Sequence, residues 1–143
     1  MKSLLITFMI TGFVSAPGCA YFRSNGQDKS RTMNTLGMQL LHLTSKVSGT
    51  IREDPTGTAV LSDRELLERS TSGDPTLLKS FDRYKVTIQR ADKEVSLLVC
   101  TFDGSRGLLE DASCTGKLDL TLWERSPAAA CQSTLQLAVV CKL

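Results

Sequence analysis

Four cysteines fall within a short C-terminal stretch, Cys100, Cys114, Cys131 and Cys141, and their oxidation state decides what this half of the chain can fold into. Five cysteines in 143 residues is a high count for a reducing compartment. The fifth, Cys19, stands apart near the N-terminus, so removing or modifying it leaves an even number to pair. No two cysteines stand in a C-x-x-C spacing, which removes the zinc-ribbon, dithiol-redox and haem-attachment patterns. Two structural disulfides are the expectation, and four cysteines allow three pairings. The preferred pairing joins Cys114 to Cys131 and Cys100 to Cys141. Cys114 and Cys131 flank one expected strand and its Pro-containing exit. Cys100 and Cys141 each lie in an apolar run, and neighbouring strands bring Cα atoms to the bridging distance of about 4.4–6.8 Å. Cys100 with Cys114 is the rival, because Asp103-Gly104 folds those two arms together.

The N-terminus explains an oxidising destination. It reads MKSLLITFMITGFVSAPGCA. Lys2 is basic, Leu4 to Val14 is an uncharged and mostly apolar run, and small residues follow. That order is the pattern of a secretory signal peptide. A spanning helix needs about 20 apolar residues, and Pro17 and Gly18 close this run earlier. Two cleavage schemes stand. One cuts after Ala20. The other uses Cys19, because Ala16-Pro17-Gly18-Cys19 resembles the lipobox of bacterial lipoprotein precursors. The resemblance implies a diacylglyceryl group on the Cys19 thiol, cleavage just before it, and a membrane anchor by lipid. Ala20 and Tyr21 follow Cys19 with no aspartate, so the resemblance points to the outer membrane, facing the periplasm.

The expected organisation is a signal peptide over 1–18 (or 1–20), a flexible tether over 19–29, and one globular domain over 30–143. Within the domain, Met33, Leu36, Leu40, Leu43 and Val47 recur at spacings of three and four, a helical stripe. Glu53 to Thr58 has the Pro and Gly chemistry of a loop. Ser62 with Glu65 is a capping box for a second helix, and Asp74-Pro75 opens a short third one. From Arg83 the period changes to two. Val86 and Ile88 alternate with polar residues, 95–102 is a dense apolar run, and Leu108 and Leu109 begin a further strand. Lys117 to Glu124 and Thr134 to Cys141 read as the last two strands. The expected fold is therefore α+β: a small antiparallel sheet of four to five strands, two or three helices packed on it, and disulfide staples.

Composition narrows function by exclusion. The formal net charge is +2, which gives no field for a nucleic-acid partner. The single histidine, His42, sits between two leucines with no nucleophile motif near it. Gly104-Ser105-Arg106-Gly107 is a turn and not a nucleophile elbow. Glu110 and Asp111 are adjacent, and neighbours in an extended chain point to opposite faces, so they do not form a facing carboxylate pair. No catalytic residue, metal ligand set or cofactor motif emerges. Residues 20–52 carry an excess of basic groups, Arg23, Lys29, Arg31, Lys46 and Arg52 against Asp28. That stretch reads as a solvated segment, with contact to anionic headgroups as the alternative. Trp123 stands on the polar side of its expected strand. It either packs in the core or anchors a partner through the patch Trp123, Glu124, Arg125 and Pro127. The functional expectation is a non-catalytic binding or assembly role at the bacterial envelope, with an envelope protein as partner. A soluble periplasmic or secreted inhibitor or ligand-binding module is the alternative, and an uncharacterised hydrolase the third reading.

Overall fold

The computed structural model describes residues 21–115 and 117–142. Both cleavage schemes and the lipobox-like segment lie outside the described residues. The described chain begins in a long helix, α1 (Tyr21–Glu53). Its core-facing stripe is Met33, Leu36, Leu40, Leu43, Val47 and Ile51, all buried, at the spacing of one helix face. The expected stripe is thus present and runs one turn further. Residues 21–29, expected as a tether, belong to this helix. Gly26 and the polar composition of this stretch do not stop the helix, which the neighbouring turns propagate.

Three short helices follow. Asp54 caps α2 (Pro55–Ala59) by accepting the Gly57 N–H at 2.9 Å, so the stretch expected as a loop closes into a turn of helix. The Ser62–Glu65 capping box opens α3 (Asp63–Ser70), with both reciprocal bonds formed. The fourth, α4 (Thr76–Lys79), presents Leu77 to the core.

The rest builds one antiparallel sheet in the order β1-β2-β3-β4, made of Tyr84–Ala91, Glu94–Thr101, Gly107–Ala112 and Lys117–Asp119. The first hairpin turns through Asp92, at φ 55°, and the second uses Gly104 at φ 71°, the left-handed conformation that its Asp-Gly signal implies. The α+β reading, with four antiparallel strands and helices on the sheet, holds.

The sheet is covered on both sides. Val95, Leu97, Val99 and Leu109 pack with α1 and α3 in the larger core. Leu98 and Cys100 face the other way, against Leu122, Ala129 and Cys131. This second cover comes from the C-terminal segment, which is mostly irregular. The strand expected over Lys117 to Glu124 stops at Asp119, because the Asp119 carboxylate accepts the Thr121 N–H at 2.9 Å and turns the chain into a 3₁₀ turn (Leu122–Glu124). The strand expected over Thr134 to Cys141 is replaced by an extended stretch and one helical turn, α5 (Leu137–Val140).

The disulfide pairing differs from the expected one. The bonds are Cys100–Cys131 and Cys114–Cys141, with Cα separations of 5.6 and 5.5 Å. Cys141 does not reach Cys100 because it ends α5 and not a strand beside β2. Gly107 lies opposite Cys100 in the sheet register and donates its N–H to Ala129 at 2.9 Å, which draws Cys131 over Cys100. The rival bridge fails on distance. Ala112 pairs with Ser96, four residues along β2 from Cys100, or about 13 Å at strand rise. Cys114 follows Ala112 and lies beyond bridging reach of Cys100.

Candidate functional site

The adjacent acids Glu110 and Asp111 sit in the middle of β3, and both are buried. As expected for an extended chain, they face opposite ways. Leu98 is opposite Glu110 and Leu97 is opposite Asp111, so Glu110 faces the C-terminal cover and Asp111 faces α1. Neither is an exposed loop carboxylate: both lie within a strand, and Glu110 caps backbone N–H groups.

Glu110 is fully partnered. One oxygen accepts the Thr134 N–H at 3.0 Å and the Thr134 hydroxyl at 2.7 Å. The other accepts the Leu135 N–H at 3.2 Å and the Ser133 hydroxyl. A 0 % exposed carboxylate with four donors is a structural clamp, and it fixes the segment covering the second face.

Asp111 is different. It is one of the residues lining a cleft of about 320 Å³ between α1 and the end of β3. The α1 wall is made by Leu41, Thr44, Ser45, Ser48, Gly49 and Arg52, which share one side of the helix. Ala112 and Ser113 complete the opposite wall. Asp111 is 2 % exposed, and its Oδ1 finds no hydrogen-bond partner among the described residues. Burial raises its pKa, opposed in part by the Thr44 hydroxyl and the Ala112 backbone N–H. The Thr44 hydroxyl also reaches the Leu40 carbonyl at 2.9 Å, and its lone pairs remain acceptors.

A polar network holds the mouth of this cleft. Arg52 pairs with Glu94 at 2.6 Å. The other Glu94 oxygen accepts the Ser113 hydroxyl at 2.6 Å, and Ser113 in turn accepts the Val95 N–H at 2.9 Å. Arg52, Glu94 and Ser113 thereby lock α1 to the end of the sheet, and a guanidinium at the rim retains N–H donors beyond the one used on Glu94. Glu94 also lies close to Cys114 and Cys141, with ligand atoms within 4.8 Å of one another. Those two sulfurs are bonded to each other and are not thiolate ligands in this state.

The other expected site residues lie elsewhere. His42 is exposed on α1 and borders a separate shallow groove with Lys46, Asp54 and Arg69. Trp123 is half-buried and packs against the larger core, with the Lys29 ammonium 5.1 Å from its ring centroid. Its carbonyl accepts the Arg106 guanidinium. Glu124, Arg125 and Pro127 are exposed beside it. Arg125 pairs with Asp119 at 2.6 Å. Burial alone would raise the pKa of Asp119, but the Thr121 N–H and hydroxyl and the Arg125 charge together lower it. The patch is contiguous in sequence, and Trp123 joins it to the body of the fold.

Among the described residues, no helix is long and apolar enough to cross a membrane. No protein-family model matches the chain, and no curated protein or solved structure matches it.

Proposed function

We propose that this chain is an exported bacterial envelope lipoprotein, anchored through Cys19 and serving a non-catalytic binding role in the periplasm. The observation that carries the binding role is the unpartnered Asp111 oxygen in a hydroxyl-lined cleft. A buried carboxyl with an unpartnered oxygen costs stability, and a fold that keeps one in the wall of a cleft has a use for it. The lining supports binding over catalysis: it holds one carboxyl and neither His42 nor a thiol. Hydrolysis by paired carboxylates needs a second acid across the substrate, and Glu110 is committed to the opposite face.

Export is supported by the two disulfides, which persist in an oxidising compartment. Exposed Glu124, Arg125 and Pro127, beside the half-buried Trp123, form the surface best suited to an envelope protein partner. The anchor is tested by growth with radioactive palmitate. Wild-type protein is labelled and sediments with membranes, whereas Cys19→Ser is unlabelled and is either unprocessed or released. A mature N-terminus at Tyr21 without lipid would establish the alternative, a soluble periplasmic or secreted binding module. Stable membrane residence requires more than one acyl chain, because a single chain binds marginally.

A further inference from the structure

The chemistry of the α1–β3 cleft specifies its occupant more narrowly than "a ligand". At one end is the Asp111 carboxyl, buried and with Oδ1 unpartnered among the described residues. Along the wall are the Thr44, Ser45 and Ser48 hydroxyls, and at the rim is the Arg52 guanidinium. A lone buried carboxyl is matched by a cation that brings its own hydrogen-bond donors. An ammonium group has three donors and no acceptor, which suits one carboxylate oxygen surrounded by hydroxyl acceptors. A divalent metal suits the lining poorly, since calcium takes about 6–8 oxygen ligands drawn largely from several carboxylates, and this lining offers one.

The rim adds a second requirement. Arg52, held in place by its pair with Glu94, offers its remaining N–H groups to a carboxylate. A purely anionic ligand would meet Asp111. We propose that this cleft binds a small zwitterion, an amino acid or a peptide terminus of that size, with its ammonium on Asp111 and its carboxylate toward Arg52. The inference rests on the reading of the chain as a binding module and names the ligand class for that site. Charge-assisted hydrogen bonds at both ends give selectivity for molecules carrying both charges.

The test is a nuclear magnetic resonance titration of the full, isotope-labelled chain in detergent micelles. The probes are glycine, 4-aminobutyrate and glycylglycine as zwitterions, ethylamine as the cation alone and acetate as the anion alone. The expected result is saturable shifts at the amides of residues 44–52 and 111–113 with at least one zwitterion, about tenfold tighter than with ethylamine or acetate. Asp111→Asn should weaken zwitterion binding by about tenfold or more while leaving the Thr134 and Leu135 amide signals in place. Arg52→Gln, a change at a largely exposed side chain, should reduce the zwitterion to the affinity of ethylamine. Equal binding of ethylamine and the zwitterions in the wild type would overturn the proposal. So would saturable shifts that Asp111→Asn does not weaken, or no saturable shift with any zwitterion at millimolar concentration. Saturable binding of glycylglycine followed by its hydrolysis to glycine over hours would uphold the ligand class and overturn the non-catalytic reading instead. A released, unlipidated protein that still binds would overturn the anchor alone.

Discussion

The Glu110 carboxylate accepts both the backbone N–H and the hydroxyl of Thr134, at 3.0 and 2.7 Å. A buried acid on β3 thereby holds the segment that covers the second face of the sheet. Glu110→Ala leaves the Thr134 and Leu135 N–H groups without their acceptor and opens a cavity, at an expected cost of about 2–4 kcal/mol. Glu110→Gln keeps the volume but turns an amide toward donors and should cost about 1–2 kcal/mol. Urea unfolding measures both. Amide exchange at Thr134 and Leu135 should accelerate in both variants, and unchanged exchange there would refute the clamp.

The bridges Cys100–Cys131 and Cys114–Cys141 span 31 and 27 residues. Loop-closure entropy assigns each about 3.5 kcal/mol of stabilisation through the unfolded state. Non-reducing peptide maps should return those two linked peptides and no Cys100–Cys141 or Cys114–Cys131 species. Cys131→Ser should loosen the cover over Leu98 and Cys100, and Cys141→Ser the end of α5. The two losses should be close to equal, since their loop lengths nearly match.

Where the chain obeys a single period, the sequence was a reliable guide. The α1 stripe, the Ser62–Glu65 box, the Asp103-Gly104 turn and the strand content of 84–112 all follow from local rules. The failures share a cause: a side chain from one segment dictates the backbone of another. Asp119 ends β4 by capturing the Thr121 N–H. Glu110 takes the Thr134 and Leu135 donors that a last strand would have used. The disulfide pairing depended on that strand and failed with it. The candidate site left a faint trace. Thr44 and Ser48 interrupt the apolar face of α1 four residues apart, between Leu40 and Ile51, and both are buried. Polar residues at core positions of a helix announce a polar neighbour, and that neighbour is Asp111.

Two glycines separate packing from propensity. A Cβ at Gly49, inside α1, meets nothing within 4 Å, so Gly49→Ala should stabilise the fold by about 0.5–1 kcal/mol. A Cβ at Gly107 falls 2.9 Å from the Ala130 carbonyl oxygen, a backbone atom. Gly107→Ala must displace the segment that carries Cys131, and about 1–3 kcal/mol should be lost. Thermal melts of the two variants against wild type should move in opposite directions. A shift of the same sign in both would place the constraint elsewhere.

Asp111 sets a pH dependence opposite to that of the surface acids. Asp54, Glu65, Asp74 and Asp103 have lowered pKa values. Their causes are, respectively, bonds from the Gly57 N–H and Arg69, from Ser62, from Thr76, and from Thr101 and Ser105. Their stabilisation is present above the unfolded carboxylate pKa and is lost as pH falls through the lower folded value. Asp111 has a raised pKa because it is buried. Between its unfolded value of 3.8 and its higher folded value, the native state holds the extra proton. Stability contributed at this site therefore falls as pH rises through that window. The groups that share the cleft with it are Thr44, Ser48 and Arg52 from α1 and Ser113 beyond β3, and Arg52 is held by Glu94. Asp111→Asn removes the ionisation while keeping the shape. The variant should match wild type near pH 4 and exceed it in melting temperature by a margin that grows as pH rises through that window and then levels off. A saturating zwitterion should narrow that margin for the wild type alone, because the ligand stabilises the ionised carboxylate that the variant lacks. A wild-type curve that stays parallel to the variant's across this range would show that Asp111 is not desolvated in the fold.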